Sequence, residues 1–157
     1  MLISKIKIFS SLCLYIFLNN MVSADSNVLE LNWELDGLSN PESVIYDPTL
    51  NHLYVSNVNG SPIEKDANGF ISIVSLSGKI IQEKWVIGLN APKGLALHGR
   101  TLYTADIDEL VAIDIDSGRI INKFKVDDAK FLNDVTTSEN GDVYVSDMAL
   151  DRIHILT

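Results

Sequence analysis

An all-β fold built from repeated units is what this sequence predicts, and three observations predict it. Tyr54-Val-Ser-Asn57, Tyr103-Thr-Ala-Asp106 and Tyr144-Val-Ser-Asp147 are one motif in three copies, 49 and 41 residues apart. Ser77-Gly-Lys-Ile-Ile-Gln82 and Ser117-Gly-Arg-Ile-Ile-Asn122 are a second marker that repeats at 40. Between the markers, short runs of Val, Ile, Tyr, Phe and Leu alternate with clusters of Gly, Asn, Asp, Pro and Ser, the all-β pattern. Self-similarity at about 40 to 50 residues marks a solenoid or propeller. Four antiparallel strands in about 40 residues is the unit of a β-propeller blade.

Each copy reads as such a unit. The first copy predicts strands at 43–47, 52–56, 70–76 and 79–86, and the second at 94–97, 101–105, 110–114 and 119–124. The third predicts 134–137, 142–146 and 152–156, and the chain ends before a fourth. First and second strands are joined by Asp47-Pro-Thr-Leu-Asn51, His98-Gly-Arg100 and Ser138-Glu-Asn-Gly141. Gly and Asn there supply the positive φ that tight hairpin turns need. The first copy is longer because of 59–69, a polar surface loop that either lies on the ligand face, where per-repeat insertions often fall, or is decoration. Residues 28–35 form a strand-like segment ahead of the first blade, of the kind that completes the last blade in closed propellers. About three blades cannot close a ring of four to eight. The expectation is therefore a truncated piece of a six-bladed propeller, residues 25–157, with three-plus-three dimerisation as the alternative.

Residues 1–24 stand apart. Lys5 and Lys7, an apolar run of about 11 residues and Val22-Ser-Ala24 predict a secretory signal peptide cleaved after Ala24. The run is short of the roughly 20 residues of a spanning helix. Export to a periplasm or secretion follows, with no membrane attachment after cleavage. Leu12 before Cys13 argues against lipidation of the one cysteine. Cleavage leaves a cysteine-free chain, without disulfides or thiolate chemistry. It also leaves 10 basic against 21 acidic residues, a net charge of −11. That balance excludes nucleic acid as a natural partner; a small-molecule ligand or substrate remains.

Overlaying the copies aligns Asn40-Pro-Glu-Ser-Val44, Asn90-Ala-Pro-Lys-Gly-Leu95 and Phe131-Leu-Asn-Asp-Val135. Glu42, Lys93 and Asn133 then share one place at the start of the first strand, which lines a propeller's channel. Second strands return to the same end, bringing Asn57, Asp106 and Asp147 to that mouth beside Asp134. Oxygen donors converging without sulfur suit a hard cation such as Ca²⁺. The plainer role for Asn57, Asp106 and Asp147 is to cap the next turn by accepting backbone N–H bonds. His52, His98 and His154 are scattered and make no shared site; the three motif tyrosines read as blade core.

Pro41-Glu-Ser-Val-Ile-Tyr-Asp-Pro48 with Leu53-Tyr-Val-Ser56, and Asn133-Asp134 followed by Ser138-Glu-Asn-Gly-Asp-Val-Tyr-Val-Ser-Asp147, resemble the first half of the gluconolactonase / senescence marker protein family. The resemblance implies a six-bladed propeller with a divalent cation, expected to be Ca²⁺, in its channel, and hydrolysis of lactones or related esters. It implies Glu42 and Asn133 as metal ligands and Asn133 with Asp134 as catalytic candidates. Three positions depart from the family pattern. Phe131 stands where an Arg is frequent, Ser43-Val44 replaces Gly-Pro, and Lys93 brings a cation to the channel. Lys93 either pairs with Glu42 or binds an anionic ligand. These departures point away from sugar lactones. The alternative function is a non-enzymatic binding or scaffold propeller of NHL type.

Overall fold

The computed structural model describes residues 29–157; the expected signal peptide lies outside the described residues. Leu31–Thr157 form one compact unit of eleven antiparallel strands. The first sheet is β1 (Pro41–Asp47), β2 (His52–Asn57), β3 (Gly69–Ser75) and β4 (Ile80–Leu89). The second is β5 (Pro92–His98), β6 (Thr101–Asp106), β7 (Glu109–Asp114) and β8 (Ile120–Lys125). The third is β9 (Leu132–Thr137), β10 (Val143–Asp147) and β11 (Arg152–Leu156). Every sheet is ordered as its sequence, so each is a simple meander. The first strands lie next to one another, β1 against β5 and β5 against β9.

Burial explains the composition of each strand. β3 is covered on both faces and reads Gly-Phe-Ile-Ser-Ile-Val, whereas the outermost strands β4 and β8 carry Gln82-Glu-Lys84 and Asn122-Lys123 on exposed positions. β5, flanked by a sheet on either side, is buried from Pro92 to Ala96; β1 has a neighbour on one side only and leaves Val44 and Tyr46 exposed. Two apolar cores lie in the two seams. Tyr54, Ile71, Leu95, Leu102 and Val111 fill the first, with Tyr54 stacked on Trp85 at 4.7 Å between ring centroids. Leu110, Leu132, Val135 and Val145 fill the second, with Tyr103 packed against them. Each fully buried Leu, Ile or Phe contributes roughly 1.5–3 kcal/mol.

Two expectations are corrected. The described part of 28–35 forms no strand, because no sheet edge lies alongside it to accept its backbone bonds. The first strands also begin two residues earlier than their composition suggests, at Pro41, Pro92 and Leu132. In each case a register shift lets the early residues pair with the far end of the second strand: Pro41 with Asn57, Pro92 with Asp106, Leu132 with Asp147. The positive-φ turn residues lie where hairpins need them, Asn51 (φ 55°) and Gly99 (φ 57°) among them.

Candidate functional site

The three register shifts build the site. Between Pro41 and Ser43, between Pro92 and Leu95, and between Leu132 and Val135, the first strand slips relative to the second. Glu42, Lys93 and Asn133 sit in those irregularities, one per blade and at equivalent places. A β-bulge leaves a residue unpaired and re-aims its side chain. The motif serine serves the bulge. Ser56 Oγ accepts the Ser43 N–H at 3.0 Å, and Ser146 Oγ accepts the Asp134 N–H at 3.0 Å. The second copy has Ala105 there and Gly94 at the bulge. This use of the Tyr-Val-Ser motif has no signature in a single copy; it becomes visible only when the register is known.

The neighbouring blades treat the three positions differently. Lys93 is 1% exposed, Asn133 is half-buried and Glu42 is exposed on the open side of β1. The Lys93 ammonium donates to the Ala91 carbonyl at 2.8 Å and lies 4.7 Å from the centre of the Phe131 ring. Phe131 thus supplies a cation–π lid, a role read from the sequence only as a departure. Burial pushes the Lys93 amine below its ordinary range, opposed by the charges of Asp106 and Glu42. Glu42 is exposed as a whole residue, yet the atoms around its carboxyl push it up; Lys93 opposes that shift and Asp134 adds to it. Glu42, Lys93 and Asp134 therefore form one electrostatic group, although no ion pair within 4 Å joins them among the described residues. Gly94 makes this approach possible: a Cβ there would lie 2.6 Å from Asp134 Cα and 2.8 Å from the Asn133 carbonyl oxygen.

Asn57, Asp106 and Asp147 do structural work in this arrangement. Each is buried and holds the lead-in to its own blade's first strand. Asn57 Oδ1 accepts from Ser39 N–H at 2.9 Å, and Asp106 accepts from Asn90 and Ala91 N–H at 2.9 and 2.7 Å. Asp147 accepts from Lys130 and Phe131 N–H at 2.8 and 3.2 Å, and also from Ala149 in the turn that follows. The anchored segment therefore precedes the strand, where composition suggested only the next turn. The cap differs in chemistry between blades. The Asn57 Nδ2 amide donates its two hydrogens to Val55 O and Ser72 Oγ. In the second blade the carboxylate of Asp106 stands with Val111 at the place of Ser72.

Burial pushes the Asp147 carboxyl up, but the backbone donors of Lys130, Phe131, Ala149 and Leu150 outweigh it and hold the group below the ordinary carboxylate range. A carboxylate depressed in the folded state contributes stability that is present above its unfolded value near pH 4 and lost as pH falls through its folded value. The acid limb of a stability–pH curve below about pH 4 is expected to flatten in Asp147→Asn. Denaturant midpoints measured across that range check it, and an unchanged slope would sink the assignment.

The 59–69 loop folds toward the second blade at this same end. Lys65 pairs with Asp108 at 2.7 Å, and the Ala67 N–H and Gly69 N–H reach Asn90 at 3.3 and 3.1 Å. The residues present do not make up a calcium shell. Glu42, Asn133 and Asp134 offer three oxygen-bearing side chains where Ca²⁺ takes six to eight oxygens. The Lys93 ammonium already sets a positive charge against Glu42. Among the described residues no group of three His, Cys, Asp or Glu gathers as a metal site.

No known family's sequence profile matches the chain. No curated protein matches it either. Solved structures do. A chain of a nidogen/laminin complex is similar with a TM-score of 0.61 at 19% identity, over 77% of this chain and 44% of that one. Hydrazine synthase of Kuenenia stuttgartiensis gives 0.59 at 15% identity, over 75% and 45%. A glucose dehydrogenase gives 0.50 at 11% identity, over 73% and 43%. The chain spans less than half the length of these structures. At such identities the likeness carries the architecture alone, and with the three meandering sheets it gives this chain the β-propeller fold, with about three blades among the described residues, without showing the gluconolactonase family.

Proposed function

We propose that this chain is the ligand-facing part of an exported propeller whose axial mouth binds a small hydroxyl-bearing molecule without turning it over. One observation carries the reading: a fully buried lysine, lidded by Phe131, lies in the same electrostatic group as Glu42 and Asp134. Its ammonium offsets part of the charge of the two carboxylates, so their oxygens are available as hydrogen-bond acceptors with less of the repulsion a bare acidic pair would suffer. Asn133 adds an amide that both donates and accepts. Acceptors and donors fixed on rigid first strands suit hydroxyl groups. The acidic surface favours neither nucleic acid nor anionic membranes.

A second reading, a lactone or ester hydrolase, is favoured by Glu42 and Asn133 standing at equivalent bulges, as the gluconolactonase resemblance requires. It needs further oxygen donors from outside this chain to hold calcium with Glu42 and Asn133.

A thermal-shift panel of simple polyols, aldonolactones and calcium chloride, each at millimolar concentration, separates the two. Binding predicts a raised midpoint with at least one polyol or lactone, since ligand at 100 times Kd adds about 2.7 kcal/mol. Glu42→Gln combined with Asp134→Asn is expected to abolish it. Acid release from the lactones above the blank, measured in a pH-stat, would put the hydrolase first. No shift with any compound overturns the binding reading.

A further inference from the structure

Asparagine is followed by glycine at three places in the sequence, Asn59-Gly60, Asn68-Gly69 and Asn140-Gly141. Asparagine is a thermolabile residue. Its side-chain carbonyl carbon can be reached by the backbone nitrogen of the next residue, and glycine, having no Cβ, hinders that approach least. The fold treats the three pairs differently.

Asn59 and Asn68 are held. The Asn59 amide donates to the Asn68 carbonyl at 2.9 Å, and the Gly60 N–H donates to Asn40 Oδ1 at 3.2 Å. The Asn68 amide donates to Asp66 Oδ2 at 2.6 Å, and the Gly69 N–H donates to the Asn90 carbonyl at 3.1 Å. Gly69 is also buried, and a Cβ on it would lie 2.4 Å from Pro92. Rebuilding the backbone there would displace the lead-in to β5. In both pairs the amide that would leave and the nitrogen that would attack are already engaged.

Asn140 differs. It lies at the exposed tip of the β9–β10 hairpin, and its side chain makes no hydrogen bond among the described residues. The Gly141 N–H donates to the Ser138 carbonyl at 3.1 Å, which closes the turn, and none of Ser138 to Asp142 is buried. Opening this turn therefore disturbs no apolar core. The matching hairpins of the other two sheets lack the pair: Asn51 is followed by His52, and Gly99 by Arg100. Gly141 is itself required, because its φ is 96° and a Cβ would lie 3.1 Å from His98 Nε2. The fold thus keeps the least hindering neighbour beside the freest of the three asparagines.

We infer that Asn140 is a site of covalent modification, cyclising onto Gly141 and reopening with water to aspartate and isoaspartate, and that the isoaspartate product loosens the hairpin. The Gly141 nitrogen loses its proton and forms a bond to Asn140 Cγ. The Cγ–Nδ2 bond breaks, ammonia leaves, and a cyclic imide remains. Water then opens either imide carbonyl. Opening at the side-chain carbonyl restores the backbone and leaves a carboxylate at position 140. Opening at the main-chain carbonyl routes the backbone through the side chain and lengthens the turn. Water is the co-reactant, and nothing is oxidised or reduced. Turn length sets hairpin register, so the longer turn strains the pairing of Thr137 with Val143. The hairpin lies at the opposite end of its blade from the axial mouth, and the inference is independent of what that mouth binds.

The purified chain is incubated in warm, mildly alkaline buffer, and its peptides are mapped by mass spectrometry over time. A gain of about one dalton is expected first at Asn140. It should appear there about tenfold sooner than at Asn59 or Asn68, whose bonded groups must open before they react. The Asn140 peptide should resolve into two products of equal mass. In concentrated urea the three rates should converge, because the fold sets their ranking. The isolated isoaspartate form is expected to melt below Asn140→Asp, which carries the same charge on an unaltered backbone. Asn140→Gln should remove the early product and keep the melting temperature. Equal rates in the folded chain, Asn59 or Asn68 reacting first, a lead for Asn140 that persists in urea, or an isoaspartate form as stable as Asn140→Asp would overturn the inference.

Discussion

Asp106→Ala is expected to destabilise the chain by about 3–5 kcal/mol, the largest loss of any single side chain at the mouth. Asp106 is fully buried, and its carboxylate receives the N–H groups of Asn90 and Ala91. Alanine would leave both donors, Ala91 buried and Asn90 half-buried, without an acceptor, at up to about 1–3 kcal/mol each. It would also remove a negative charge that favours the ammonium of Lys93. Asp106→Asn keeps an acceptor and should cost less, though its amide hydrogens would find Val111 where the first blade offers Ser72. Urea denaturation reads the difference: with a slope of about 1–3 kcal/mol per molar, the alanine midpoint falls by roughly 2 M. Arg100→Ala is the control, since both Arg100 and its partner Asp116 are more than half exposed and such pairs contribute about 0–1 kcal/mol. An Asp106→Ala loss as small as that of Arg100→Ala would mean the lead-in segment is held by something else.

Gly94→Ala is the second large effect, expected at about 2–4 kcal/mol. The added methyl would meet backbone, Asp134 Cα at 2.6 Å and Asn133 O at 2.8 Å, and backbone in a paired strand cannot rotate away as a side-chain tip can. Relief requires the second and third blades to part, which opens the seam of Leu110, Leu132 and Val135 and carries Asn133 and Asp134 away from Lys93. Gly88→Ala isolates the steric part. Gly88 has φ 79° but nothing within 4 Å of a Cβ, so it should lose only the backbone preference, about 1 kcal/mol. Differential scanning calorimetry should show the Gly94 variant melting roughly 10 °C lower. Equal losses at the two glycines would reject close packing as the reason for Gly94.

The eleven strands were legible because each copy alternates composition and is bounded by turn residues, and because two or three copies vote on each element, although the starts of the first strands fell two residues earlier than composition suggests. The equivalence of Glu42, Lys93 and Asn133 was legible for the same reason. The bulges that hold them were not, since a bulge is a property of pairing between two strands and leaves no mark on either alone. The Phe131–Lys93 contact crosses from one blade to the next and has no spacing to read. Residues 28–35 have the composition of a strand, but composition cannot supply an edge to pair with. What the mouth binds is illegible for a simpler reason: the side chains that meet there are common polar residues, and only their ligand would distinguish one use from another.

The unequal caps of the first two blades bear on how such a chain can diverge. An amide beside a hydroxyl in one blade and a carboxylate with a valine at the equivalent register place in the next are each self-consistent, but they are not symmetric: an Asn with Val would leave an amide hydrogen without the acceptor that Ser72 supplies, whereas an Asp accepts from a Ser hydroxyl. Repeats related by duplication are prone to recombine with one another. Here an exchange with a breakpoint between position 57 and position 72 is costly in the one product that joins Asn to Val, whereas one that carries both positions together keeps the Asn–Ser bond. The asparagine of the first cap is thus tied to Ser72, and a change at either position is expected to be neutral only when the other changes with it.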